Sequence, residues 1–146
     1  MAPFIVLITV TALTRLIGWL TDLTWPDSWP HALTAGLAAM FTLTATAHFQ
    51  QPRRAALIAM VPPSFPSAPA MVTLTGILEI AGAIGLLIPA TTTLAAACLF
   101  ALLLAMFPAN IRAAREDLGI KTMPLPARTA LQVLFLAACA VVVVAS

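Results

Sequence analysis

The chain has 146 residues, of which 62% are hydrophobic and only 8% charged, with a mean hydropathy of +1.05. A soluble domain of this length needs far more polar residues to cover its surface, so these figures exclude one. The net charge of +2 comes without a block of like charge or any interleaving of basic and aromatic residues, which excludes a nucleic-acid surface.

Five apolar stretches predict five spanning helices, over residues 3–20, 32–49, 70–88, 93–111 and 127–145. Each is about 18–20 residues, or roughly 27–30 Å at 1.5 Å per residue, which matches the hydrocarbon core of a bilayer. A closed barrel is the other spanning solution, but it needs short alternating strands and not continuous apolar runs. The expected fold is an all-α integral membrane helical bundle, residues 1–146 forming a single transmembrane domain.

No Lys or Arg precedes the apolar residues 4–13, and residues 15–22 offer no small-x-small cleavage site. The first stretch therefore reads as an uncleaved span and not as a signal peptide. Residues 25–30, Trp-Pro-Asp-Ser-Trp-Pro, end it with two helix-breaking prolines and two tryptophans suited to the headgroup level. Residues 50–69 carry Pro62, Pro63, Pro66 and Pro69. Their first part, 53–61, predicts a short interfacial helix. The rest cannot be a regular helix, and wherever it dips into the membrane protein must surround it. Pro89 marks a tight connection between the third and fourth spans, and Pro124 and Pro126 precede the fifth.

Arg53, Arg54, Arg112, Arg115, Lys121 and Arg128 all fall on one side of a five-span bundle, while the opposite connections hold Asp22 and Asp27. By the positive-inside rule the basic side is cytoplasmic, which puts the N-terminus inside and the C-terminus outside a bacterial cytoplasmic membrane. A four-span arrangement, with the first stretch not inserted, also keeps the basic loops together. Small residues such as Gly36 in the second span and Gly76, Gly82 and Gly85 in the third allow close helix approach.

Glu79 is the only charge in its span, about 13 Å from the inner end and so near the midplane. A carboxylate at that depth marks a function or a necessary partner. Gln132 lies in the inner third of the fifth span, one turn above Arg128 on the same face. His48 and Asn110 lie near the inner ends of the second and fourth spans. Glu79, His48, Gln132 and Asn110 are thus candidates to line one ligand-binding cavity in the inner half.

Each residue also has a plainer reading. Glu79 reads as a structural residue, protonated or ion-paired with Arg15; Arg15 alternatively reaches toward Asp22. His48 reads as an ordinary hydrogen-bonded histidine, Asn110 as a pin at the irregular end of its helix, and Gln132 as a helix–helix cross-link. Thr42, Thr44 and Thr46 can bond back to their own helix and receive no role. Cys98 and Cys139 lie at similar depth; buried free thiols are the stronger reading over a disulfide. Two histidines at opposite ends of the second span cannot share a metal ion.

Five segments carry a resemblance to a family. They are Met-Phe-Thr-Leu-Thr-Ala-Thr-Ala-His-Phe at 40–49, Met-Val-Pro-Pro-Ser-Phe-Pro at 60–66 and the run 74–89 around Glu79. Met-Phe-Pro-Ala-Asn at 106–110 and Arg-Thr-Ala-Leu-Gln at 128–132 complete the set. In this order they resemble the DoxX-like family of small bacterial membrane proteins, over about residues 32–140. The resemblance implies four core helices, with the first span an added N-terminal helix, and places His48, Glu79, Asn110 and Gln132 in the family pattern. The family name derives from a subunit associated with thiosulfate:quinone oxidoreduction, and distant relatives include quinone-linked and chaperone-like membrane proteins.

No haem, flavin or iron–sulfur pattern is present, so no cofactor is evident, and quinone enters only as a candidate ligand. The expected function is binding of a hydrophobic small molecule, a quinone or a lipid, in the inner-half cavity. The protein would act on its own or as accessory subunit of a membrane redox system. The alternative is a structural, assembly or chaperone-like membrane partner with no ligand chemistry. No catalytic set is evident, and the sequence leaves a homo-oligomer open.

Overall fold

A computed structural model of the chain describes residues 1–21, 23–120 and 123–145; Asp22 and Lys121, assigned above to opposite sides, lie outside the described residues. The described residues form six α-helices: α1 (Ala2–Leu20), α2 (Trp29–Phe49), α3 (Arg53–Met60), α4 (Ala68–Leu86), α5 (Thr92–Arg115) and α6 (Leu125–Ala145). All except α3 are long and apolar enough to cross a membrane. The chain is an all-helical, multi-pass membrane bundle.

Helix starts follow local chemistry. Ser28 caps α2, its hydroxyl accepting from the His31 amide at 3.3 Å, with Pro30 in the first turn. This cap starts α2 at Trp29, three residues before the expected 32. Pro3 and Pro69 likewise occupy the first turns of α1 and α4, where no helical amide bond is lost. The larger departure is at the other end of α5, which runs through Pro108 to Arg115. Asn110 is therefore inside a helix and not at its irregular end. Pro108 cannot donate to the Leu104 carbonyl, but membrane helices tolerate that loss where neighbouring groups satisfy the freed backbone.

Helices α2, α4, α5 and α6 pack in a ring: α2 on α4, α4 on α5, α5 on α6 and α6 back on α2. Helix α1 packs on the outside of α2, and α3 lies across one end against α2, α4 and α5. At Gly36 an added Cβ would come within 2.8 Å of the Leu7 carbonyl oxygen, so glycine is what lets α1 approach α2 so closely. The apolar core comprises residues such as Leu37, Phe41, Leu86, Leu99, Cys139 and Val142. These come from the C-terminal parts of α4 and α6, the N-terminal part of α5 and the first two-thirds of α2. The core therefore fills the half of the ring away from α3.

The α3 end is tied down by arginines. Arg112 donates through Nη1 to the carbonyls of Ala59 (3.1 Å) and Val61 at the end of α3, and through Nε to Glu116 at 2.8 Å. Arg54 donates to the carbonyl of His48 in the last turn of α2, to the Pro69 carbonyl at 3.3 Å and to the Thr73 hydroxyl at 2.9 Å. Helix C-termini leave carbonyls without intrahelical partners and carry partial negative charge, so cations suit them. Two of the basic residues that gave the expected orientation are thus also caps for α2 and α3.

Candidate functional site

The half of the bundle next to α3 is hollow. A cavity of about 490 Å³ lies among α2, α3, α4 and α5, with the first residues of α1 at its edge. Leu57, Met60, Phe65, Val72 and Met106 contribute to a largely apolar wall. Thr44, His48, Thr75 and Glu79 line it as well.

Glu79 and His48 are buried, with only 3% and 5% of their surface exposed. Glu79 is eleven residues into α4, about 16 Å from its start and close to the midplane. Its Oε2 is 2.7 Å from the Thr44 hydroxyl, and its Oε1 is 3.5 Å from His48 Nε2. The other ring nitrogen, Nδ1, is 2.8 Å from the Val72 carbonyl oxygen and 3.1 Å from the Thr75 hydroxyl. A carbonyl oxygen only accepts, so Nδ1 carries a proton and Nε2 is the nitrogen that faces the carboxyl group. Gly76 makes this meeting feasible: a Cβ there would lie 2.6 Å from the His48 Cβ and 2.9 Å from its Cγ.

Residues 37–144 match a family described as a domain of unknown function, DUF8561. The chain belongs to the DUF8561 family. The matched segment runs from within α2 into the last turn of α6, so it holds α3, α4, α5, most of α2 and α6 and the His48–Glu79 pair, and leaves α1 outside. No curated protein and no solved structure matches the chain.

Of the four residues expected to share a cavity, this DUF8561 chain brings three to its wall: Glu79, His48 and Asn110. Asn110 also accepts from Arg128 Nη1 at 2.9 Å, which joins α5 to the start of α6. Gln132 is a correction. It is buried between α5 and α6, its Nε2 donating to the Leu103 carbonyl at 2.7 Å, and it lines none of the cavity. That carbonyl is next to the one Pro108 leaves without its helical donor, in a turn where a side-chain amide can reach backbone.

The proposed Arg15–Glu79 ion pair is the second correction. Arg15 pairs instead with Asp27 in the α1–α2 connection, and its guanidinium lies 5.5 Å from the Trp29 ring centre. Arg15 is near the far end of α1, the helix that packs outside the ring, and an exposed partner costs less desolvation than one at the midplane. Cys98 and Cys139 are both free thiols, and Cys139 is buried as expected, but Cys98 is exposed on the outer face of α5.

Two groups in the site were not foreseen: Thr44 and Thr75. Both also bond back to carbonyls of their own helix, Thr44 to Phe41 at 3.1 Å and Thr75 to Met71 at 3.0 Å. A hydroxyl satisfied locally gives no sequence signal of a second partner. The available clue is spacing: Thr44 is four residues before His48, one turn along the same face of α2.

Proposed function

We propose that this chain holds one hydrophobic small molecule, a quinone or a lipid, in the cavity, with its polar end at Glu79, His48 and Thr44. The observation that carries the reading is the placement of two buried ionisable side chains, 3.5 Å apart, on the wall of a largely apolar cavity of about 490 Å³. Small-molecule sites have this character and a volume of about 300–1,000 Å³. Ionisable groups at mid-membrane depth face cavities or pathways far more often than lipid. Nδ1–H is held by the Val72 carbonyl, which leaves Nε2 as the nitrogen through which His48 exchanges a proton with Glu79.

The DoxX-like resemblance belongs to the same proposal. His48, Glu79, Asn110 and Gln132 all fall inside the DUF8561 segment, and α1 stands apart from the four-helix ring as an added helix would. On this reading the protein serves in a bacterial cytoplasmic membrane, alone or as accessory subunit of a redox system. Its N-terminus is cytoplasmic and its C-terminus outside. Six basic residues on one side of the sequence support that orientation. An N-terminal tag accessible in intact cells would reverse it.

Protein purified in mild conditions is expected to carry a stoichiometric small molecule by mass spectrometry, and Glu79→Gln to lose it. Bulk lipid alone in both proteins removes the proposal. The Gln132–Leu103 and Asn110–Arg128 bonds favour a second reading, a structural or assembly partner whose polar groups serve only the bundle. Under it Glu79→Gln lowers thermal stability yet still complements a deletion strain at normal expression.

A further inference from the structure

The hydrogen-bond geometry around Glu79 constrains the ligand's polar end, given the cavity-binding reading above. Thr44 Oγ1 lies between two oxygens, Glu79 Oε2 at 2.7 Å and the Phe41 carbonyl at 3.1 Å, and has one proton to give. With the carboxyl ionised and the imidazole doubly protonated, Thr44 donates to Oε2 and Nε2–H points at Oε1. With the carboxyl protonated on Oε2 and the imidazole neutral, Oε2–H donates to Thr44, and Thr44 donates to Phe41. Both arrangements use the same heavy-atom positions, and in both Nδ1–H stays on Val72. In both of these arrangements His48 and Glu79 share one proton beyond Nδ1–H, so the pair carries no net charge. Adding a second proton, or removing the one, leaves a net charge in a buried and largely apolar setting, which is costly.

We infer that the cavity takes an amphiphile whose polar end is an uncharged hydroxyl, bound at the His48–Glu79 gap, and that it discriminates against carboxylates and ammonium groups. A hydroxyl both donates and accepts, so it fits each arrangement: it donates to Oε1 beside Nε2–H, or to the bare Nε2. A ketone only accepts, so it fits one arrangement and leaves the other unmet; the same holds for an oxidised quinone, which narrows the reading above to a quinol or a hydroxyl-bearing lipid. An anion or cation placed there meets a pair with no net charge, so its own desolvation is not offset. Arg53, a basic side chain on the cavity wall, is exposed in the first turn of α3. Arg54 is half-buried and engaged with backbone carbonyls.

The test is equilibrium binding of radiolabelled decan-1-ol, decan-2-one, decanoate and decylammonium to the protein in phosphatidylcholine nanodiscs at pH 7, with empty nanodiscs subtracted. Decan-1-ol is expected to saturate at one per chain and to bind at least about tenfold tighter than either ion, with the ketone between. In Glu79→Gln the imidazole can take a proton with no carboxylate to balance it, so decanoate is expected to gain on decan-1-ol. A purely structural Glu79 would leave that ratio unmoved. The wild-type ratios test the inference even where the variant fails to fold. Decanoate or decylammonium binding as tightly as the alcohol overturns the charge discrimination, and equal binding of the ketone overturns the hydroxyl assignment. In both cases the cavity remains a binding site. If none of the four saturates, the binding reading itself falls, and the inference with it.

Discussion

The two halves of the ring are built on different terms. Away from α3, side chains such as Leu37, Leu86, Leu99 and Val142 interlock in a filled apolar core, with relative exposures of 0–1%. Toward α3, helices α2, α3, α4 and α5 surround a cavity, and the groups that meet there are a carboxyl, an imidazole and two hydroxyls. In a bilayer, apolar side chains gain little by leaving lipid for protein, so close packing and hydrogen bonds must hold helices together. The filled half relies on packing. The hollow half relies on bonds such as Thr44–Glu79 and His48–Val72, and on Arg54 and Arg112 capping the helices that close its end.

The largest expected effect probes that division directly. Leu99→Ala removes a fully buried side chain that packs on Gly82, and should cost about 2–5 kcal/mol. Leu43→Ala makes the same deletion on the cavity wall, where one side of the leucine already meets empty space, and should cost under about 1 kcal/mol. Thermal melts of the two variants in the same nanodiscs measure the difference. Equal losses would mean that both halves are packed alike.

Next come changes to the polar cluster. Glu79→Ala leaves Thr44 and His48 facing an empty space and should cost about 1–3 kcal/mol, by the same melts. Gly76→Ala should cost a similar amount, because the new methyl meets the Cβ of His48, which cannot swing aside as a flexible side-chain tip does. Both variants should also lose ligand binding. Gly76→Ala moves His48 away from Glu79 while keeping both groups, so restored binding in Gly76→Ser, a slightly larger residue, would contradict the steric account.

These residues also show what could be read from the chain. The five spans were legible because a bilayer demands a length of apolar chain regardless of which face points where. Depth was legible for the same reason, so Glu79, His48 and Asn110 were placed in one half, and one cavity wall holds all three. Facing direction was not legible. Arg15 and Gln132 are at plausible depths, yet the first points to the α1–α2 connection and the second into the α5–α6 seam. Rotation about a helix axis depends on close contacts such as Gly36 against Leu7 and Gly76 against His48. Those contacts are set by pairs of helices, which a single sequence does not pair. Pro108 shows the same limit, since whether a helix continues past a proline depends on its neighbours.

The smallest expected effects belong to the cysteines, which lie in the filled half and differ only in facing. Cys98 is exposed on the outside of α5, and Cys98→Ser should change stability by less than about 0.5 kcal/mol. Cys139 is fully buried in the core, where serine's hydroxyl needs a partner and bonding back to its own helix supplies only a modest one. Cys139→Ser should therefore cost about 1 kcal/mol more than Cys98→Ser. Binding in the hollow half should be untouched by either change or by both together, since neither thiol lines the cavity. Loss of binding in the double variant would tie the two halves together and require a path between Cys139 and the cavity wall. Retained binding alongside the stability difference would keep the division between a half filled by packing and a hollow half proposed to hold a ligand.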